Sequence, residues 1–165
     1  MKVYHGGVYA VTVPDLLHSR KAVDFGPGFY VTPLRDQAVR WAEKRKRTLG
    51  RATLSVYDFD EAATASLEIL RFDSYSEPWL DFIVACRARH DASGWDVVIG
   101  GVANDRVFDT LEAYFDGFAT KAQTIGRLRM ETPNLQICFR TAAALKTLHF
   151  AGSEPLRKPT PIFSA

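Results

Sequence analysis

Cysteine is scarce in this chain. Only Cys86 and Cys138 occur in 165 residues, and no CxxC is present. That excludes a multi-disulfide scaffold and suits buried free thiols in a reducing, cytoplasmic compartment, although a single bridge between the two stays open. The four histidines, His5, His18, His90 and His149, fall at no ligand spacing with the cysteines, which argues against a metal site. No stretch approaches the ~18 uninterrupted apolar residues of a membrane span. The opening Met-Lys-Val-Tyr-His has no apolar signal core, so secretion by that route is not expected. GxGxxG, a P-loop and HExxH are all missing, and Ser19, Ser93 and Ser153 lack a GxSxG setting. These absences exclude a Rossmann dinucleotide domain, a P-loop nucleotide hydrolase, a zincin and an α/β-hydrolase.

What is present is an ordinary globular composition. Apolar residues make up 47% and charged residues 24%, enough to bury the core of one domain. The formal net charge of +2 conceals an uneven distribution. Residues 35–51 carry seven basic side chains against Asp36 and Glu43. Residues 58–81 carry seven acidic ones against Arg71. Two solvated, mutually attracting faces would explain this. A polyanion or a dinucleotide phosphate drawn to the basic run would explain it too.

Lys2 to Tyr4 reads as a short strand ended by Gly6-Gly7, and Phe29 to Thr32 as another. Thr32-Pro33 has the form of a helix start, with Thr as N-cap and Pro in the first turn. The helix that follows places Leu34, Ala38, Trp41 and Ala42 on its apolar side and ends at Gly50. Arg40, Lys44 and Arg47 line another side. Thr53 to Phe59 alternates as a strand. Residues 61–70 read as a weak helix passing into an extended segment. Ser76 and Pro78 start a helix with the stripe Trp79, Ile83, Cys86 and His90. Trp95 to Ile99 is a buried strand, and Asn104 or Asp105 can cap a helix whose apolar face includes Val107, Leu111 and Tyr114. Residues 120–130 look helical, Asn134 to Phe139 extended, and Thr141 caps a last helix through Leu148. The three tryptophans, Trp41, Trp79 and Trp95, are expected in the core. Residues 1–150 form one domain, and residues 151–165 read as a loose, Pro-containing tail.

Three segments stand out: Val-Tyr-His-Gly-Gly at 3–7, Phe-Gly-Pro-Gly-Phe-Tyr-Val-Thr at 25–32 and Asn-Leu-Gln-Ile-Cys-Phe at 134–139. In this order they resemble the ADP-ribosyltransferase superfamily on its diphtheria-toxin and poly(ADP-ribose)-polymerase side. That group carries a His on a first strand, a Tyr in a Gly-x-Tyr strand before a helix, and a Glu on a later strand. The chain resembles, more narrowly, a group of small bacterial domains with an Ala-Asn-Asp element, here Ala103-Asn104-Asp105. The resemblance implies an α+β fold, a split mixed β-core with flanking helices. It implies an NAD-dependent mono-ADP-ribosyltransferase, a glycosyltransferase-class enzyme with NAD as substrate and no metal. His5 would bond a ribose hydroxyl, and Gly6 would let the backbone approach the nicotinamide carboxamide. Tyr30 would stack on the nicotinamide ring, with Thr32 beside it among the NAD-binding residues. Gln136 occupies the place of the catalytic Glu. An amide bonds a hydroxyl but carries no negative charge. Asp105, Glu112 or Glu131 could supply a carboxylate, Asp105 being favoured beside a strand-end turn.

Arg40, Lys44, Arg47, Asn104 and Tyr114 are the candidates to touch acceptor or phosphate. Small domains of this kind act as toxins or defence effectors, so the resemblance implies a protein or nucleic-acid acceptor and a neutralising, antitoxin-like partner. A non-catalytic module binding NAD, ADP-ribose or a partner is the alternative, as is NAD hydrolysis without transfer. Each residue also has a plainer reading: His5 at a strand end, Tyr30 and Tyr114 as core aromatics, Gln136 on a solvated strand face, and Asn104-Asp105 as a helix cap.

Overall fold

The computed structural model describes residues 1–18, 23–88, 93–102, 105–129 and 134–156, with the side chains of 105, 106 and 108 left out. Among the described residues, seven strands and five α-helices make an α+β fold: β1 (Lys2–Gly7), β2 (Phe29–Val31), α1 (Arg35–Leu49), β3 (Thr53–Phe59), β4 (Ile69–Arg71), α2 (Glu77–Arg87), β5 (Val97–Gly100), α3 (Asp105–Phe115), α4 (Lys121–Leu128), β6 (Gln136–Phe139), α5 (Ala142–Leu145) and β7 (Leu148–Pro155). The strands form two sheets. Sheet A has the order β1-β3-β7, antiparallel throughout. Sheet B has the order β2-β6-β5-β4 and is mixed, because only β4 and β5 run parallel. A single bridge, Tyr4 to Thr32, stitches β1 to the end of β2.

Strand alternation sorts the side chains into layers. Val3, Tyr57, Phe59 and Leu148 of sheet A meet Phe29, Val31, Val97, Ile99, Ile137 and Phe139 of sheet B in one apolar cluster. The other side of sheet B, with Val98 and Cys138, is covered by Trp79, Leu80 and Ile83 of α2, Val107 and Leu111 of α3, and Ile125 and Leu128 of α4. Helix α1 lies on the outer side of sheet A, against β1 and β3. Its approach is close because Gly6 has no side chain: a Cβ there would collide with the Ala38 carbonyl and come within 2.9 Å of the Ala42 nitrogen. Ala38 and Ala42 are fully buried.

Local signals explain most element ends. Ser76 caps α2, its side chain accepting from the Trp79 amide, with Pro78 in the first turn. Thr120 and Gln123 form a reciprocal capping box on α4, and Thr141 caps α5. Gly50 ends α1 at φ 76, in the left-handed region that favours glycine, and its amide donates to Lys46 O.

Several expectations are corrected. Thr32 is not the N-cap of α1. The helix begins at Arg35, capped by Leu34 without a side-chain bond, because fully buried Thr32 is taken up in the bridge to Tyr4. Its hydroxyl instead accepts from the Leu34 amide at 3.1 Å. The buried side of α1 is Gln37, Ala38 and Ala42, while Leu34 is exposed and Trp41 half-buried. Trp95 is also half-buried, so Trp79 is the one tryptophan wholly inside the core. The last helix stops at Leu145, and Leu148 opens β7. Residues 151–155 are not a loose tail: they belong to β7, in which 152–155 pair with β3 beyond a register shift, and Leu156 donates to Ala52 O at 2.9 Å. His90 and residues 157–165 lie outside the described residues. The charge runs find partners elsewhere: Arg35 bonds Glu154, Asp58 bonds Lys2 and Asp81 bonds Lys121.

Candidate functional site

The three segments that stand out in the sequence converge where β1, β2 and β6 lie side by side. His5 Nδ1 is 2.8 Å from the Tyr30 carbonyl oxygen, 25 residues away in the chain. A carbonyl only accepts, so Nδ1 carries the proton and the imidazole tautomer is set. The half-buried His5 ring stacks on Phe29, centroids 4.7 Å apart and planes 26° from parallel. That places the ring on the inter-sheet side of β2.

Tyr30 points to the other side. Its hydroxyl donates to Gly26 O at 2.6 Å and accepts from the Phe25 amide at 3.0 Å, so the phenol clips the glycine loop to its own strand. Burial raises the phenol above its ordinary range, with Cys138 beside it adding to the effect. Cys138 faces Tyr30 directly across the β2–β6 register, and burial pushes its thiol up to about 12. Neither cysteine is in a disulfide, and both are buried.

Gln136 is one alternation further along β6, on the same side as Cys138 and Tyr30, and it pairs with Gly100 of β5. It is buried, so the reading of Gln136 on a solvated strand face does not hold. Its amide nitrogen donates to Asp24 Oδ2 at 3.1 Å and to Gly101 O at 3.4 Å. The other oxygen of Asp24 accepts from Arg87 at 2.7 Å, and the two charged side chains are 13% and 19% exposed. Trp79 Nε1 also donates to Gly101 O, at 3.2 Å. Next to this, Asn134 Oδ1 accepts from the Val102 amide at 2.6 Å and from the Tyr75 hydroxyl at 3.0 Å. Gln37 of α1 fixes the approach to β6 by donating to Leu135 O at 2.7 Å and accepting from its amide at 3.3 Å. The strand that carries Gln136 is thus held at its start by the Gln37 side chain of α1, the Tyr75 hydroxyl and the backbone of the loop after β5.

The structure therefore unites Tyr30 and Gln136 on the helix-facing side of sheet B and joins His5 to them through the Tyr30 backbone. Gly6 has a packing reason of its own, since its missing Cβ makes room for α1. Asp105 is the first residue of α3, and Tyr114 is half-buried on the same helix. Asn104 and Glu131 lie outside the described residues, and Glu112 is exposed. Arg40, Lys44 and Arg47 are exposed along α1, which meets the site through Gln37. The carboxylate seen beside Gln136 belongs to Asp24, a residue the sequence reading passed over. Its place just ahead of Phe25-Gly26-Pro27-Gly28 was the available signal.

An open hollow of about 680 Å³ lies elsewhere, at the far ends of β1, β3 and β7, lined by Tyr9, Lys46, Arg51 and Ser153 among others. It contains none of His5, Tyr30 or Gln136. Among the described residues no group of three or more His, Cys, Asp or Glu side chains could hold a metal ion, and no helix is long and apolar enough to cross a membrane.

The family model described as Protein of unknown function (DUF3990) matches residues 1–150, and the chain belongs to that family. No curated protein and no solved structure matches it.

Proposed function

We propose that this DUF3990 chain is an NAD-dependent mono-ADP-ribosyltransferase with its site at the junction of β1, β2 and β6. The observation that carries the reading is the convergence itself. His5, Tyr30 and Gln136 come from three distant segments that lie side by side as β1, β2 and β6: the His5 ring, on the inter-sheet side, bonds the Tyr30 backbone carbonyl at 2.8 Å, and β2 pairs with β6, where Gln136 shares the helix-facing side with the Tyr30 side chain. In the reaction the bond between the ribose C1′ and the nicotinamide nitrogen breaks, nicotinamide leaves with the bonding pair, and an acceptor nucleophile bonds to C1′ and releases a proton. His5 binds the ribose, Tyr30 lies on the nicotinamide side, and Gln136 faces the reacting sugar; Thr32, expected among the NAD-binding residues, is fully buried in the bridge to Tyr4 and takes no part. The exposed strip Arg40, Lys44 and Arg47 attracts a protein or nucleic-acid acceptor. Cys86 and Cys138, buried and outside any disulfide, fit work in a reducing, cytoplasmic compartment, where a toxin-like enzyme needs a neutralising partner. A second reading, a non-catalytic module for NAD or ADP-ribose, is favoured by the amide at position 136.

Incubation of the purified chain with labelled NAD and cell extract tests both. Label on a macromolecule is expected, and it falls by about tenfold or more in His5→Ala, Tyr30→Ala and Gln136→Ala variants that still melt cooperatively. Free ADP-ribose without a labelled acceptor means hydrolysis instead. NAD binding without turnover selects the module, and neither binding nor turnover rejects the site.

A further inference from the structure

We propose that Asp24 is the positioning residue of this site: held by Arg87, it orients and polarises the Gln136 amide so that the amide oxygen serves in place of the missing carboxylate. The inference rests on the reading of Gln136 as the group that faces a bound ribose. Asp24 and Gln136 are 112 residues apart in sequence, yet Oδ2 lies 3.1 Å from Nε2. An ionised carboxylate only accepts, so it selects the amide flip in which Nε2 points at Asp24 and Oε1 points away. The second amide proton is directed at Gly101 O, another pure acceptor, at 3.4 Å. Both donors of the amide are thereby committed, and a ligand meets an acceptor.

Charge follows the same path. A hydrogen bond to a carboxylate draws electron density toward the amide oxygen, an effect that strengthens in a site largely shut off from water. The amide then presents a ribose hydroxyl with more negative charge than a solvated glutamine does. Arg87, 2.7 Å from Oδ1, keeps Asp24 in register. Asp24 also acts on Tyr30 and Cys138, and Arg140 and Cys86 border the same glycine loop. These charged and titratable groups stand near the pair among the described residues.

Exchange of the two groups tests the pairing. Asp24→Asn, Gln136→Glu and the double variant are made in the full chain and compared with wild type. Melting is followed from pH 5 to pH 8 without ligand, and NAD turnover and affinity are measured at pH 7.5. In Gln136→Glu two carboxylates face each other and must share a proton. Their folded-state titration moves above its unfolded value, so stability is kept at pH 5 and lost toward pH 8. A drop in melting temperature of about 5 °C or more against wild type at pH 8 is expected, vanishing toward pH 5. The double variant restores one amide and one carboxylate, and Gly101 O keeps the Trp79 donor, so its profile returns to the wild-type shape.

Turnover is expected to fall by about tenfold or more in each single variant and to recover to within a few-fold of wild type, or beyond, in the double. A Gln136→Glu profile that parallels wild type at every pH means the groups are not paired and overturns the proposal. Recovered melting with turnover no better than the worse single variant reduces the pair to a structural role and overturns it equally. A wild-type chain that neither binds nor consumes NAD rejects the NAD reading, while the melting profiles still decide for or against the pairing.

Discussion

The two faces of sheet B come from the same strands and solve different problems. The inter-sheet face presents Phe29, Val31, Ile137 and Phe139 from β2 and β6 and Val97 and Ile99 from β5, and closes hydrocarbon against hydrocarbon. The helix-facing side presents Tyr30, Gln136, Cys138 and Val98, and near its end runs a polar chain through Asp24, Arg87 and Gly101. The first face is filled by apolar volume, with the His5 ring stacked at its edge on Phe29. On the second, every polar atom needs a partner, because an unpaired buried group costs about 1–3 kcal/mol. The apolar face makes the sheet stable, and the polar face makes one part of it particular.

Substitutions on each side put that contrast to the test. The largest effect is expected from Phe139→Ala, which empties a fully buried site in edge-to-face contact with Phe59. A loss of about 3–5 kcal/mol is expected in denaturant melts. Arg87→Met comes next, at about 2–3 kcal/mol. It removes the Arg87 guanidinium 2.7 Å from the nearly buried Asp24 carboxylate, and adding Asp24→Asn to it should return part of the loss. If Arg87→Met is harmless, the polar chain is solvated decoration and the contrast between the faces disappears.

The smallest effect belongs to Cys138 and depends on pH. Its folded-state thiol is raised to about 12 from an ordinary value near 9, so the unfolded chain ionises first. Its contribution is intact below about pH 8.5 and fades as pH rises toward 12. Melting between pH 8 and pH 10.5 should fall less steeply in Cys138→Ala than in wild type, and in the folded wild type the thiol should resist alkylation at pH 8.

This contrast also explains what could be read in advance. β3, with its alternating Thr53 to Phe59, and α2, with Ser76 and Pro78, carry local signals, and the structure has both where expected. The order of the three segments along the chain anticipated that β1, β2 and β6 are neighbours, but not that the His5 ring and the Tyr30 and Gln136 side chains point to opposite faces. Asp24, Arg87 and Gln37 were missed because their meaning lies in contacts with residues 63 to 112 positions away, which no periodicity encodes. Thr32-Pro33 misled for the opposite reason. The pair has the local form of a helix start, but its tertiary use, burial against Tyr4, prevailed. In the segment after Gly152, glycine and proline suggested looseness, while the open edge of β3 recruited residues 152–155 as strand.

The strand orders carry a kinetic consequence. Neither sheet is complete until late in the chain, since sheet B is joined in its interior by β6 and sheet A is finished by β7. A chain emerging from the ribosome can pair β1 with β3 early, yet it leaves one edge of β3 unpaired until Leu148–Pro155 emerges. Closure of such distant pairings is slow relative to helix formation. For that interval the nascent chain shows a bare β3 edge and half an apolar face, surfaces on which chaperones and aggregation compete.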